Sequence, residues 1–268
     1  VARARDTAEK IAHRYASAAA GGEVPACRWT RLACERHLRD LEAGAARGLA
    51  FDPAAAQHAA DFFGFLKHSK GEWAGQTFAL QPWQTFLVAS LFGWKRADGL
   101  RRFQTAYNEV PRKSGKSTLA AGVGLYLFFA DGEPGAEVYS AATKRDQARI
   151  THSEATRMVQ ASPTLKRRIG IFRDNLHVLS TASKFEPLGA DADFMDGLNV
   201  HGAIIDELHA HRTREVWDVL ETATGARRQP LLFAITTAGF DRETICWELH
   251  EYALKVLEGV IEDDSFFA

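Results

Sequence analysis

Apolar positions in the first quarter of the chain recur at helical spacing. Leu32, Cys34, Leu38 and Leu41 share one side of a segment over 31–48, for which Thr30 is the candidate N-cap. Asp52-Pro53 opens a further helix reaching Phe62, Phe63, Phe65 and Leu66, an aromatic cluster read as core. The stretch 70–75 breaks the pattern, and Gln81-Pro82-Trp83-Gln84 starts a helix toward Trp94. Beyond residue 100 short apolar runs alternate with helical periods. Strands are predicted over 102–110, 136–142, 200–205 and 231–237, with two shorter ones near 176–180 and 185–188 that pair as a hairpin. Helices are predicted over 116–129, 145–161, 213–222 and 243–257. Strands apolar on both faces and alternating with helices imply a mostly parallel sheet covered on both sides, with the loops after the strands gathered along one edge. The predicted organisation is a helical segment over 1–75 packed on an α/β core over 76–268.

Composition narrows the class. The 268 residues are 46% hydrophobic and 25% charged, which excludes disordered and collagen-like chains. The longest apolar run, 119–130, has 12 residues, well short of the roughly 20 needed to cross a bilayer, and no signal peptide is visible. Cys27, Cys34 and Cys246 cannot all pair, and buried thiols in a reducing compartment are expected. The net charge of −1 is unevenly spread. Residues 1–180 carry 26 Lys/Arg against 17 Asp/Glu, a net of +9, and residues 181–268 carry 7 against 17, a net of −10. Such polarity suits a basic face for a polyanion, unless the two halves interleave in space.

Candidate chemistry lies at the strand ends. In Val110-Pro111-Arg112-Lys113-Ser114-Gly115-Lys116-Ser117-Thr118, a strand runs into a loop and a helix opens at the lysine, as in a phosphate-binding loop. Loop N–H groups and the helix N-terminus would surround phosphate, Lys116 would reach the β- and γ-phosphates, and Ser117 would place a hydroxyl on Mg²⁺. The usual first glycine is replaced by Val110, and Pro111 lacks an N–H, so the loop's first turn must differ. Ninety residues after Lys116 an apolar strand ends in Asp206-Glu207. Two acids there suit a metal-side carboxylate, Asp206, and a base for attacking water, Glu207. Together the two motifs predict an ATPase. Thr236-Thr237 close the next apolar strand, where small hydroxyls can sense the γ-phosphate. His209 and His211 lack a third ligand and are read as surface or internally satisfied, with His209 near the nucleotide edge.

Five blocks in order, namely QPWQ (81–84), VPRKSGKST (110–118), YSAATKRDQA (139–148), DGLNVHGAIIDELHAH (196–211) and QPLLFAITTAG (229–239), resemble the large terminase subunit of tailed bacteriophages, over about residues 60–265. The resemblance implies an additional-strand, catalytic-glutamate P-loop NTPase fold, in a family whose loop commonly lacks the first glycine. It also implies a motor that uses ATP and Mg²⁺ to push double-stranded DNA into a procapsid. Its partners would be the portal protein, a small terminase subunit and further copies of itself in a ring, usually of five, in the host cell cytoplasm. The nuclease domain of the family is expected to be absent from this chain.

By the same resemblance Gln84 reads adenine, Ser114, Gly115, Lys116, Ser117 and Thr118 hold phosphates, and Ser117 and Asp206 hold the metal. Glu207, Lys116 and Arg112 are catalytic, and Thr236 and Thr237 couple hydrolysis to movement. Some members carry a trans-acting arginine in an Arg-Gly pair before the acidic strand. Here that pair is Asp196-Gly197, so Arg145, Arg149, Arg212 and Arg214 are the candidates, or the finger is absent. Lys144, Arg145, Lys166, Arg167 and Arg168 are candidate DNA contacts. Two alternatives stand: a helicase-like translocase, prompted by the DExH-like run Asp206-Glu207-Leu208-His209, and a nucleotide-dependent assembly module without translocation.

Overall fold

A computed structural model describes residues 6–189, 197–239 and 241–268. Arg3 and Arg5 near the N-terminus, and Asp196 of the Asp196-Gly197 pair, lie outside the described residues. Helices α1 (Ala8–Ala20) and α2 (Arg28–Ala43) come first, then strand β1 (Ala50–Phe51), helices α3 (Pro53–Phe63) and α4 (Pro82–Gly93), and strand β2 (Trp94–Lys95). The α/β part continues as β3 (Thr105–Glu109), α5 (Lys116–Phe129), β4 (Glu137–Ala142), α6 (Arg145–Ala161) and α7 (Pro163–Lys166). It is completed by β5 (Gly170–Phe172), β6 (Asn175–Val178), β7 (Ser183–Gly189), β8 (Val200–Asp206), α8 (Glu215–Thr222), β9 (Leu231–Thr236), α9 (Ile245–Leu257) and β10 (Phe266–Phe267).

One eight-stranded sheet runs in the order β10-β3-β9-β8-β4-β7-β6-β5. The pairs from β10 across to β7 are parallel, and β5, β6 and β7 form an antiparallel meander at the far edge. Side chains alternate between the faces, as a strand's period of two requires. Leu231, Phe233 and Ile235 of β9 join the core beneath α1 and α3–α6, whereas Leu232 and Ala234 join the core beneath α8 and α9. Helix α5 is apolar around its whole circumference because it lies between the sheet and α3. Its Gly124 allows that approach: a Cβ there would stand 2.9 Å from Phe185 Cζ and 3.0 Å from Ile204 Cγ1.

Several expectations need correction. Helix α2 begins three residues earlier than predicted, with Cys27 as N-cap, and Thr30 sits in its first turn with its hydroxyl 3.3 Å from Cys27 Sγ. The side of α2 facing inward is Cys34, His37 and Asp40, while Leu41 is exposed, because the buried partners awaiting that face include Arg102 and Trp94. Phe65 is exposed rather than core. Cys27 is exposed as well, unlike Cys34 and Cys246. The β1–β2 pair, β5 and β10 were not anticipated, being too short to show a period.

Asp52 caps α3 as its position before Pro53 implies, accepting from the Ala54 and Ala55 N–H groups at 2.9 and 3.0 Å. Helices α5 and α6 have the predicted limits.

Candidate active site

The sheet order places the site. Strand β9 lies between β3, which feeds the loop 110–115, and β8, which ends in the acids. Glu109 is in register with Thr236, and Ile235 with Asp206. Three parallel strands therefore end level, and the loop strand and acidic strand stand two strand spacings apart, about 9–10 Å. A lysine side chain at the start of the following helix bridges that gap. Lys116 is 6% exposed, and its Nζ lies 2.9 Å from Asp206 Oδ1 and 2.6 Å from Glu207 Oε1.

The loop is shaped by its backbone. Lys113 and Gly115 both have left-handed conformations, φ 64° and φ 79°. Only Gly115 is free of a Cβ penalty there, and such turns are the habit that gathers successive N–H groups to one side. Val110 N–H donates to Thr236 O at 2.9 Å, which ties the loop's start to the neighbouring strand. Ser114 Oγ is buried with no hydrogen-bond partner, an unmet polar atom inside the loop. Ser117 and Thr118 occupy the first turn of α5 and are half-buried. Arg112 is exposed and makes no ion pair among the described residues.

Glu207 is left-handed too, with φ 58°, which costs a non-glycine residue about 1–3 kcal/mol. Neighbouring bonds fix it there: its N–H faces Ile235 O and Asp206 Oδ1, each at 2.9 Å. The twist lets two successive residues at the end of β8 turn both carboxylates toward Lys116, which a continuing strand would have sent to opposite faces. Thr236 is fully buried and Thr237 nearly so. Thr236 Oγ1 donates to Thr237 O at 2.9 Å and accepts from His209 N–H at 3.1 Å. His209 Nδ1 lies 2.9 Å from Thr236 Oγ1 and 3.2 Å from Glu207 Oε2, contacts that the sequence reading missed. The missed signal was its place two residues past an acid that must turn. His211 is buried instead, and desolvation holds its pKa down at about 4.

Lys116, Asp206, Glu207 and Thr236 thus converge, and Ser114, Ser117 and Thr118 stand on the same loop and helix start. Gln84 makes no hydrogen bond to that cluster among the described residues. Its Oε1 accepts from Gln81 N–H at 2.8 Å, a capping bond at the start of α4, and the side chain is 4% exposed. Trp83 beside it lines, with Glu109, Val110 and His250, a cavity of about 170 Å³ next to the loop's start.

Three of the four candidate trans-acting arginines are committed within the chain. Arg149 takes Asp174 in a bidentate pair at 3.1 and 2.7 Å, Arg145 approaches the same carboxylate at 3.8 Å, and Arg214 pairs with Asp218 and Glu248. Arg212 is exposed and has no partner among the described residues. The candidate DNA contacts do not gather. Lys144 and Arg145 stand at the start of α6, whereas Lys166, Arg167 and Arg168 lie beyond its end, 17 residues or about 25 Å away.

A lysine rising from a helix-start loop to meet two strand-end acids, with a further parallel strand inserted between, defines a P-loop NTPase of the additional-strand class. Comparison with known proteins then narrows it. Residues 82–255 match the family model described as the terminase large subunit, ATPase domain, and the chain belongs to that family. It is 40% identical over 72 residues to Protein YmfN of Escherichia coli (strain K12), covering 27% of this chain and 16% of that protein. It is 28% identical over 173 residues to the large terminase subunit of Enterobacteria phage HK97, covering 63% of this chain and 33% of that protein. The crystal structure of the HK97 large terminase shares the fold, with a TM-score of 0.66 and 23% identity over 80% of this chain and 43% of that one. The chain therefore spans less than half of the length of each of these relatives.

Proposed function

We propose that the chain hydrolyses ATP as the motor domain of a phage large terminase, moving double-stranded DNA into a procapsid. The observation that supports this most is the Lys116 ammonium held between Asp206 and Glu207 at the edge where β3, β9 and β8 end together. A compact ammonium with three donors and two carboxylate partners can trade them for phosphate oxygens without leaving its place. Ser114, Gly115, Ser117 and Thr118 line the phosphate side, where the unmet Ser114 hydroxyl and the open space beside Gly115 suit a polyanion.

Mg²⁺, when bound, would be held by Ser117 and Asp206 and would neutralise charge on the phosphate oxygens. Among the described residues no group of three or more His, Cys, Asp or Glu could hold a metal ion by itself. Glu207 takes a proton from the attacking water as the new O–P bond forms and the bond from the γ-phosphorus to the ADP oxygen breaks. Arg112 and Lys116 offset the charge on the transferred group. Gln84 offers its free Nε2 to adenine while its Oε1 caps α4. Thr236 and Thr237 carry the change to β9.

Partners in this reading are the DNA, the portal protein, a small terminase subunit and a ring of copies, probed in the host cytoplasm. No helix among the described residues is long and apolar enough to cross a membrane. Arg212, having no partner among the described residues, is the candidate best placed to serve a neighbour. The helical segment 1–75 and the core 76–268 are proposed to work as one body, since Ala12, Phe63, Phe86 and Leu125 share a core.

Phosphate release by the purified chain, with and without double-stranded DNA, tests the reading. Turnover that is slow alone and rises when copies assemble supports it, and strand separation would favour a helicase. No release under any condition would leave only a nucleotide-dependent assembly role.

A further inference from the structure

His209 stands on the short turn Leu208–Ala210 immediately after Glu207, with its side chain 22% exposed. Its Nδ1 faces two acceptors at once, Thr236 Oγ1 at 2.9 Å and the Glu207 carboxylate at 3.2 Å, with Thr237 Oγ1 further off at 3.5 Å. Hydrogen counting assigns the tautomer. Thr236 has one hydroxyl hydrogen and spends it on Thr237 O. Toward His209 it can only accept, and an ionised carboxylate also only accepts, so Nδ1 carries the proton.

We propose that His209 is a positioning residue whose single Nδ1–H is shared between Glu207 and Thr236, so that the glutamate stays aimed from the coupling strand once Lys116 has left it. The inference rests on Glu207 being the base that activates water. Before hydrolysis Lys116 and His209 both hold the Glu207 carboxylate. When the lysine turns to phosphate, His209 remains as its tether. The other acceptor, Thr236 Oγ1, anchors the imidazole to β9, whose Thr236 O accepts from Val110 N–H at the start of the loop 110–115.

The test compares the wild-type chain with His209→Ala, His209→Asn, His209→Gln and Glu207→Gln, using steady-state phosphate release with double-stranded DNA, ATP KM and thermal melting. Asparagine can place an amide N–H near the position of Nδ1, whereas glutamine places it near Nε2. The expected result is a fall in kcat of about 10- to 100-fold for His209→Ala and His209→Gln, with KM within about twofold, unchanged melting, and substantial recovery in His209→Asn. A kcat for His209→Ala within about twofold of wild type overturns the proposal, as does equal rescue by glutamine. A fall that tracks loss of melting temperature in every variant reduces His209 to a structural part and also overturns it. Wild-type turnover by Glu207→Gln overturns the reading of Glu207 and this inference with it. Lost turnover in Glu207→Gln beside an unaffected His209→Ala overturns this inference alone.

Discussion

Arg102 and Lys116 are each buried between a pair of carboxylates, and they differ in how they are held. Arg102 is 1% exposed and gives its Nε–H to Asp264 O at 2.9 Å, one terminal nitrogen to Asp40 Oδ2 at 2.8 Å, and the other to Asp264 Oδ1 at 2.7 Å. Arg47 closes the same network from outside, through Asp40 and Asp264. A planar guanidinium bonded along its whole edge is fixed in direction, and it locks β10 and α2 to the start of β3. Lys116 also meets two acids, but as a point charge with a donor to spare, beside an unmet serine hydroxyl and a left-handed glutamate. The first arrangement engages every nitrogen of its cation and is structural. The second is incomplete, and its partners can be exchanged. The difference teaches that burial of a charge does not by itself mark a site, and that exchangeable partners beside an unmet polar atom do more to single out Lys116.

The sharpest way to break the comparison is Lys116→Ala. ATP turnover should fall by about a thousandfold or more, with the chain still folded, as phosphate release and circular dichroism would report. Near-normal turnover would remove the site assignment. Glu207→Gln should bind ATP normally and hydrolyse it about 10²–10⁴-fold more slowly, measured by filter binding alongside phosphate release. If binding is lost as well, the glutamate holds nucleotide rather than activating water.

Arg102→Met should act in the opposite sense. It leaves Asp40 buried without its main partner and should cost about 3–5 kcal/mol in urea unfolding, while turnover per folded molecule stays unchanged. The double replacement with Asp40→Leu should recover most of that loss. A drop in specific activity without a drop in stability would erase the distinction between the two clusters.

The smallest effect is one of pH. His37 is buried against Ser90, Trp94 and Phe86, and its Nδ1 accepts from Trp94 Nε1–H at 3.0 Å. Desolvation, reinforced by nearby His13 and Arg102 and opposed by Asp40, brings its pKa down to about 3. The unfolded chain therefore binds a proton below about pH 6.5 that the folded one refuses. Stability is full above that value and declines as pH falls toward about 3, by at most about 1.4 kcal/mol per unit for this group. His211 adds a slope of the same sign down to about pH 4. His37→Asn, which can still accept from Trp94, should flatten the dependence of melting temperature between pH 7 and 5. An unaltered slope would show that His37 does not carry it.

The sequence by itself determined the parts that depend on near neighbours. Helices α5 and α6, the cap at Asp52, the loop before Lys116 and the acids at the end of β8 all follow from residues within a turn or a strand of each other, where spacing and local bonding decide the conformation. Tertiary structure alone decided what lies opposite. Nothing near position 37 or 40 announces that α2 turns His37 and Asp40 inward, because their partners Trp94 and Arg102 arrive some sixty residues later. Strand β10 exists because β3 offers it an edge, and two phenylalanines cannot show a period of their own. His209 gained its contacts only when β8 and β9 paired in register and Glu207 took a left-handed turn. Local preference selects elements, but the hydrogen bonds that give a side chain its task are set by which strands come to lie side by side.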